Sequence, residues 1–190
     1  IDKKERIGII ADYDVDGSTS ASILFKFLKN FTSSIILKIP NRLVDGYGPN
    51  IKLMREMLDN KVDLLLTLDC GTTSNEIIDN KEFKNIDVIV IDHHLSEIKL
   101  PNVLAIINPN RVDDTSDYNQ LAAVGVTFLF LMYLRKKLRE FNKFDQIKEP
   151  NLLSYLDLVA LGTVCDVVEL KQYNRLFVKK GLELIHKRYH

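Results

Sequence analysis

Residues 6–17 read Arg6-Ile7-Gly8-Ile9-Ile10-Ala11-Asp12-Tyr13-Asp14-Val15-Asp16-Gly17. The run Arg6–Ala11 is apolar and rich in β-branched residues, as in a strand buried on both faces, and it passes without a linker into three alternating aspartates and a glycine. The next segment, Ser18–Asn30, sets Ala21, Leu24, Phe25 and Leu28 on one helical face, and Ser18 is suited to cap its start. Strand, acidic turn and helix in that order form the opening unit of a parallel sheet covered by helices. In such sheets ligands bind beyond the carboxyl ends of the strands.

The pattern continues outward. Ile35–Ile39 reads as a second strand, followed by the turn Asp45-Gly46-Tyr47-Gly48-Pro49 and a helix bearing Ile51, Met54 and Leu58. Val62–Leu68 is a third strand, Asp87–Ile91 a fourth and Val103–Ile107 a fifth. After that the character changes, and Gln120–Glu140, Leu152–Leu161 and Asn174–Lys187 all carry helical periodicity. The expected fold is α/β: a doubly wound parallel sheet of about five strands with helices on both faces, followed by a helical C-terminal half. No repeat, low-complexity tract or Ser/Gly-rich hinge interrupts the chain, so a single domain over residues 1–190 is expected.

Composition narrows the class. A hydrophobic fraction of 46% and a charged fraction of 27% exclude a disordered or fibrous chain. Lys plus Arg equals Asp plus Glu at 26 each, so any hold on nucleic acid must be local and not a matter of bulk charge. Cys70 and Cys165 are too few for a disulfide framework; they are expected as free thiols in small buried positions, in a reducing cytoplasm. The most apolar run, Leu121–Leu134, falls short of the ~20 residues that cross a bilayer and reads as a buried helix, so no membrane contact is expected. The chain opens at Ile1 without methionine or a leader pattern and reads as part of a longer protein.

The acidic residues follow the strands. Strand one ends in Asp12, Asp14 and Asp16, strand three in Asp69, and strand four in Asp92-His93-His94. A single Asp after a strand is as often a turn or cap residue. Three strands delivering carboxylates to one rim is another matter, because gathered like charges resist ionisation unless a cation neutralises them. Hard oxygen ligands with imidazole suit Mn²⁺ or Mg²⁺. Adjacent histidines directly after a β-branched run bring neither packing nor propensity advantage, which favours a chemical role for His93 and His94.

At these residues the chain resembles a known family. Ile10–Gly17, Leu68-Asp69-Cys70-Gly71-Thr72-Thr73, Asp92-His93-His94 and Gly162-Thr163-Val164-Cys165-Asp166-Val167-Val168 are similar, in order and spacing, to the four motifs of the DHH phosphoesterase superfamily. Ile39-Pro40-Asn41-Arg42 through Gly46-Tyr47-Gly48-Pro49, Asn108-Pro109-Asn110-Arg111, Ala122-Ala123-Val124-Gly125-Val126 and Asn174-Arg175-Leu176 resemble its RecJ branch, and the likeness runs from Arg6 to Arg188. The resemblance implies two divalent cations, Mn²⁺ or Mg²⁺, at Asp12, Asp14, Asp16, Asp69, Asp92, His93 and Asp166. It leaves open which ion each residue serves. His94 matches the substrate-side histidine. Asp166 is nominated by the motif alone, since it follows a helix; otherwise it reads as a turn residue.

The implied activity is metal-dependent phosphodiester hydrolysis of single-stranded DNA from the 5′ end, in DNA repair and recombination. A helicase or single-strand-binding protein is the partner class that would feed it. Cys165 departs from the small Ala more usual beside the last ligand. The family also carries a second domain with a glycine-rich phosphate-binding motif, which this chain, ending at His190, lacks, so an incomplete grip on substrate is expected.

Two cations about 3.5–4 Å apart lower the pKa of a bridging water and stabilise the attacking and leaving oxygens, with Asp69 suited to bridge them and His94 to donate to the phosphoryl oxygens. Backbone N–H groups of Gly17-Ser18-Thr19 stand near the same rim, as a phosphate contact or as a plain helix start. Sequence-tolerant binding needs backbone contacts and stacking, for which Arg42, Tyr47 and Arg111 are candidates. Arg135-Lys136-Lys137-Leu138-Arg139 reads as a solvated helix end more than a DNA track.

Other functions fit parts of this pattern. A DHH phosphodiesterase acting on short oligonucleotides, cyclic dinucleotides or pyrophosphate would share the metal chemistry. A haloacid-dehalogenase-type phosphatase would use Asp14-Val15-Asp16-Gly17-Ser18 as a nucleophile loop but leaves Asp92-His93-His94 without a role. A phosphorylatable receiver domain, which is not an enzyme, shares the acidic pair and Asp69 but calls for Ser or Thr where Asp92 stands.

Overall fold

The computed structural model describes residues 3–187, so Arg188, where the family likeness ends, and His190 lie outside the described residues. Five parallel strands, β1 (Ile7–Ala11), β2 (Ile35–Lys38), β3 (Leu64–Leu68), β4 (Asp87–Ile91) and β5 (Ala105–Ile107), lie in the order β2-β1-β3-β4-β5. The helices are α1 (Val15–Leu28), α2 (Ile51–Asp59), α3 (Asn75–Ile78), α4 (Ala123–Glu140), α5 (Leu156–Cys165) and α6 (Gln172–His186), with 3-10 turns at Lys81–Phe83 and Leu152–Tyr155. The expected α/β sheet with a helical C-terminal half is what forms. The strand order reverses between β1 and β3, the crevice position at which doubly wound sheets bind ligands.

Strand alternation divides the core. Ile7, Ile9, Ala11, Leu66 and Leu68 face one side, where they pack with residues of α1, α4 and α5. Ile10, Leu65, Val88 and Val90 face the other, against Met54 and Met57 of α2 and Phe83. Both faces of the central strands are therefore dry, which is why they read as continuous apolar runs and not as alternating ones.

Three local expectations change. Helix α1 begins at Val15, not Ser18: Asp14 is its N-cap, accepting from Gly17 N at 2.8 Å, and Ser18 N already bonds Asp14 O at 3.0 Å. With Gly17 N and Ser18 N so engaged, the phosphate contact at Gly17-Ser18-Thr19 loses its free donors. The apolar run Leu121–Leu134 is continuously buried only as far as Phe128; beyond it Leu131 and Leu138 stay in the core while Met132 and Tyr133 are exposed, because the later part of α4 has one face on the core and the other in solvent. Leu152–Leu161 opens as a 3-10 turn and becomes α-helical from Leu156.

Candidate metal centre

Asp12 follows β1 directly and donates its N–H to Leu68 O at 3.1 Å, continuing the β1–β3 pairing for one more step. Its carboxylate is buried, with Oδ1 unpartnered. Burial raises its pKa, aided by Asp14 and opposed by the backbone N–H groups of Tyr13 and Asp14. The tight turn from strand to helix depends on Gly17, where a Cβ would fall 2.4 Å from Asp12 O.

Two residues after Asp14, Asp16 is 1% exposed, and its two oxygens accept from Ala123 N at 2.6 Å and Val124 N at 2.8 Å. These N–H groups open α4, whose N-cap Ala122 has no side-chain acceptor to offer. Asp16 therefore supplies the cap from 107 positions away. Burial lifts its pKa to about 6 against the pull of His93 and of those N–H groups. Helix α5 approaches closely here because residue 162 is glycine: a Cβ would lie 2.3 Å from Thr19 Oγ1 and 3.1 Å from Asp16 Oδ1.

Asp69 ends β3 in the left-handed region at φ 59°, a conformation Asp tolerates better than most residues. Its N–H bonds Ile91 O at 2.9 Å and its carbonyl accepts the Tyr47 hydroxyl at 2.8 Å. Burial, with Asp16 and Asp14 beside it, pushes the carboxyl up to about 10. Asp166 caps the C-terminal end of α5 and is itself raised by burial. The following Val167, a β-branched residue at φ 60°, turns the chain sharply away.

His93 joins these segments. Its Nε2 lies 3.4 Å from Asp69 Oδ1, 3.6 Å from Asp166 Oδ2 and 3.8 Å from Asp16 Oδ2. All three separations exceed a normal hydrogen bond. Donors held about 2.0–2.2 Å from one cation stand roughly 3 Å apart when adjacent and 4.3 Å when opposite, the interval into which these distances fall. His93 Nε2, Asp12 Oδ1, Asp69 Oδ1 and Asp166 Oδ2 are all buried without a hydrogen-bond partner. Three sets of donors lie within 4.8 Å of one another and could hold a cation: Asp16 with His93 and Asp166, Asp12 with Asp14 and Asp69, and Asp69 with His93 and His94. The donor chemistry and spacing fit divalent ions.

Asp92, expected as a ligand, stands outside these three donor sets. It is buried beside the cluster, but Oδ1 accepts from His93 N at 2.8 Å, His94 N at 3.2 Å and His94 Nδ1 at 2.8 Å, and Oδ2 accepts from Thr72 N at 3.1 Å. Burial would raise its pKa, yet the bonds from His94 and Thr72 bring it down to about 2. Its carboxylate orients His94, whose pKa the same bond raises. The His94 side chain is 48% exposed, open to a ligand.

Among the candidate substrate contacts, the Tyr47 hydroxyl sits 3.2 Å from His94 Nδ1, and burial together with Asp92 raises its pKa. Arg42 lies over the Tyr13 ring at 5.4 Å, next to Asp12 and Asp14. Arg111, expected as a substrate contact, is engaged within the protein. Its guanidinium pairs with both oxygens of Asp113 and donates to Ile106 O at 3.0 Å, so it braces the loop after β5. The sequence reading missed the asparagines beside it: Asn108 and Asn110 reach the carbonyls of His94 and His93. Their signal in the sequence is the segment Asn108-Pro109-Asn110-Arg111, whose likeness to the RecJ branch assigns neither Asn a role. Cys70 is buried as expected, whereas Cys165 is exposed; both are free.

The chain is 40% identical over 183 residues to the single-stranded-DNA-specific exonuclease RecJ of Dickeya dadantii, covering 95% of this chain and 32% of that protein. It thus spans about a third of that relative's length. A crystal structure of an exonuclease RecJ bound to manganese superposes with a TM-score of 0.81 and 34% identity, over 96% of this chain and 44% of that one. RecJ from Thermus thermophilus in complex with Mn²⁺ does so with a TM-score of 0.76 and 31% identity, over 97% of this chain and 25% of that one. The model of the DHH family, N-terminal domain, matches residues 6–163, and with the geometry above this makes the chain a member of the DHH family.

Proposed function

We propose that this chain carries the catalytic centre of a two-metal exonuclease that hydrolyses single-stranded DNA from the 5′ end. The observation that supports it most is the convergence of four buried, unpartnered polar atoms, on Asp12, Asp69, His93 and Asp166, at the carboxyl rim of the sheet. Leaving such groups unpaired is costly, and divalent cations would satisfy them together. The relatives named for single-strand DNA, and those crystallised with manganese, support the substrate and the metal. The 5′ polarity rests on the likeness to the RecJ branch.

On this reading Asp12, Asp14, Asp16, Asp69, His93 and Asp166 would hold the two cations, with Asp16, His93 and Asp166 as one donor set and Asp12, Asp14 and Asp69 as another. When bound, the cations activate an attacking water and offset charge on the attacking and leaving oxygens. Asp92 fixes His94 through Nδ1 and favours its protonated form, whose other N–H can donate to a phosphoryl oxygen as negative charge grows there. Tyr47 steadies His94 and the Asp69 carbonyl. Arg42, stacked on Tyr13, offers a guanidinium to the DNA backbone beside the cluster.

Single-stranded DNA is the proposed partner. A helicase or single-strand-binding protein that exposes the strand follows from that substrate. Among the described residues no helix is long and apolar enough to cross a membrane. A cytoplasmic site of action is inferred from this substrate and the free thiols. Membership of the DHH family removes the haloacid-dehalogenase and receiver readings, and a DHH phosphodiesterase for short oligonucleotides or cyclic dinucleotides stays as the alternative.

The test is mass spectrometry of products from 5′-labelled single-stranded DNA with Mn²⁺, beside dinucleotide and cyclic dinucleotide substrates and an Asp69→Ala control. Labelled mononucleotides from the 5′ end are expected, slowly and with poor processivity. Release confined to the 3′ end, a preference for duplex, or turnover of dinucleotides alone would overturn the proposal.

A further inference from the structure

We propose that Asn108 and Asn110 are positioning residues, a pair of side-chain amides that fix the two successive peptides following His93 and His94 and thereby aim the two rings in different directions. The inference deepens the proposed function and rests on it for the roles of the rings. Beyond β5 the chain turns back beneath residues 93–94. Asn108, 4% exposed, donates from Nδ2 to His94 O at 2.8 Å and to Thr72 Oγ1 at 2.9 Å. Asn110 donates from Nδ2 to His93 O at 2.5 Å and to Asn119 O at 3.2 Å. Each amide nitrogen thus uses both hydrogens.

The carbonyl of His93 and the N–H of His94 belong to one planar peptide unit. Asn110 holds its oxygen, and Asp92 Oδ1 accepts from its nitrogen at 3.2 Å. Pinned at both ends, the plane cannot rotate about its flanking bonds, so ψ of His93 and φ of His94 are set together. The consequence is visible in the rings, whose planes stand 62° apart, His93 turned to the carboxylates and His94 to Asp92 and Tyr47.

An ordinary loop role for the asparagines accounts for less. Asn108 Oδ1 accepts from Asn110 N at 2.8 Å, a common Asx turn that needs only the oxygen. The four amide donations to His93, His94, Thr72 and Asn119 add nothing to that turn. Asn119 leads into the start of α4, whose first N–H groups hold Asp16, so the same amide ties the histidine segment to a second part of the cluster.

The turn and the clamp can be separated. Asn108→Asp keeps the acceptor for Asn110 N and loses both donors; Asn110→Asp keeps shape and loses its donors, and Asn110→Ala does so without adding charge. Calorimetric Mn²⁺ titration and imidazole ring NMR of the metal-free protein, both without DNA, are read beside kcat and KM.

For Asn110→Ala and Asn110→Asp, Mn²⁺ affinity is expected to fall roughly 10- to 100-fold, with displaced His93 ring signals. An added negative charge alone would move affinity the other way. Asn108→Asp should displace the His94 ring signals and lower kcat roughly 10-fold or more with KM and Mn²⁺ affinity near wild type. Unchanged ring signals and metal affinity in all three variants would overturn the clamp; if one aspartate variant does not fold, the ring spectra of the others still decide. A wild-type protein without DNA hydrolysis would defeat the proposed function and leave these measurements standing.

Discussion

The basic end of α4 and the acidic rim of the sheet are both dense charge clusters in the sequence, yet they meet opposite fates. Arg135 and Arg139 pair with Glu149, and Lys137 pairs with Glu140 at 2.7 Å. These charges are satisfied at the surface from within the protein. At the rim, carboxylates from β1, β3 and the end of α5 are brought together with His93, and several of their atoms are left buried with nothing to bond. A charge run by itself says little about binding; a buried set of like charges without internal partners calls for a ligand.

The largest effects should come from removing rim carboxylates. Asp14→Ala, Asp69→Ala and Asp166→Ala are each expected to lower turnover on the order of 10³-fold or more, and pairs of them little further, because they serve one cluster. Single variants that keep substantial activity while a double variant loses it would separate these residues into independent sites.

The two histidines should differ from each other. His94→Ala is expected to cut turnover on the order of 10²- to 10³-fold with Mn²⁺ affinity near wild type, as for a lost transition-state donor. His93→Ala should weaken Mn²⁺ binding itself, roughly 10- to 100-fold or beyond. Calorimetry with kinetics at saturating metal reads both, and the reverse pattern would exchange their roles.

Next comes the pH response of the metal-free rim. Asp16, raised to about 6, and Asp69, raised to about 10, hold protons more tightly when folded than their ordinary value of 3.8 allows. Their ionisation therefore costs folded-state stability, a loss that grows as pH rises through about 6 and on towards 10. Asp92, lowered to about 2, has the opposite sign: its stabilisation is complete above its unfolded value of 3.8 and is lost only as pH falls towards 2. In EDTA the melting temperature should thus fall on the order of 5 °C between about pH 5 and pH 7. Mn²⁺ should remove the fall. A melting temperature that rises over this interval in EDTA would show that the rim carboxylates are already satisfied.

The smallest effect belongs to the other cluster. Arg139→Ala should shift the melting temperature by no more than about 2 °C and leave the salt dependence of DNA hydrolysis unchanged, since exposed ion pairs contribute little. A marked loss of DNA affinity would make the basic end of α4 a nucleic-acid track after all.

The strands, the parallel α/β class and the delivery of Asp12, Asp14, Asp69 and His93 to one rim were all legible in the sequence, because each depends on a local signal: a β-branched run and the residue after it. The start of α1 is less legible, because Asp14 reads as a ligand and one carboxylate can both cap a helix and face a cluster. Only the tertiary structure decided the rest. Asp16 caps α4 from 107 positions away, Asp92 turns its oxygens inward to Thr72 and His94, Arg111 closes on Asp113, and two asparagines beyond β5 grip the histidine backbone. Apart from the Arg111 pair, these bonds join segments far apart in the chain or depend on how such segments pack. Hydrophobic periodicity and strand-end position say which residues reach the rim. Which atoms meet there is set by how α4, α5 and the loop after β5 pack against the sheet, and no local pattern carries that information.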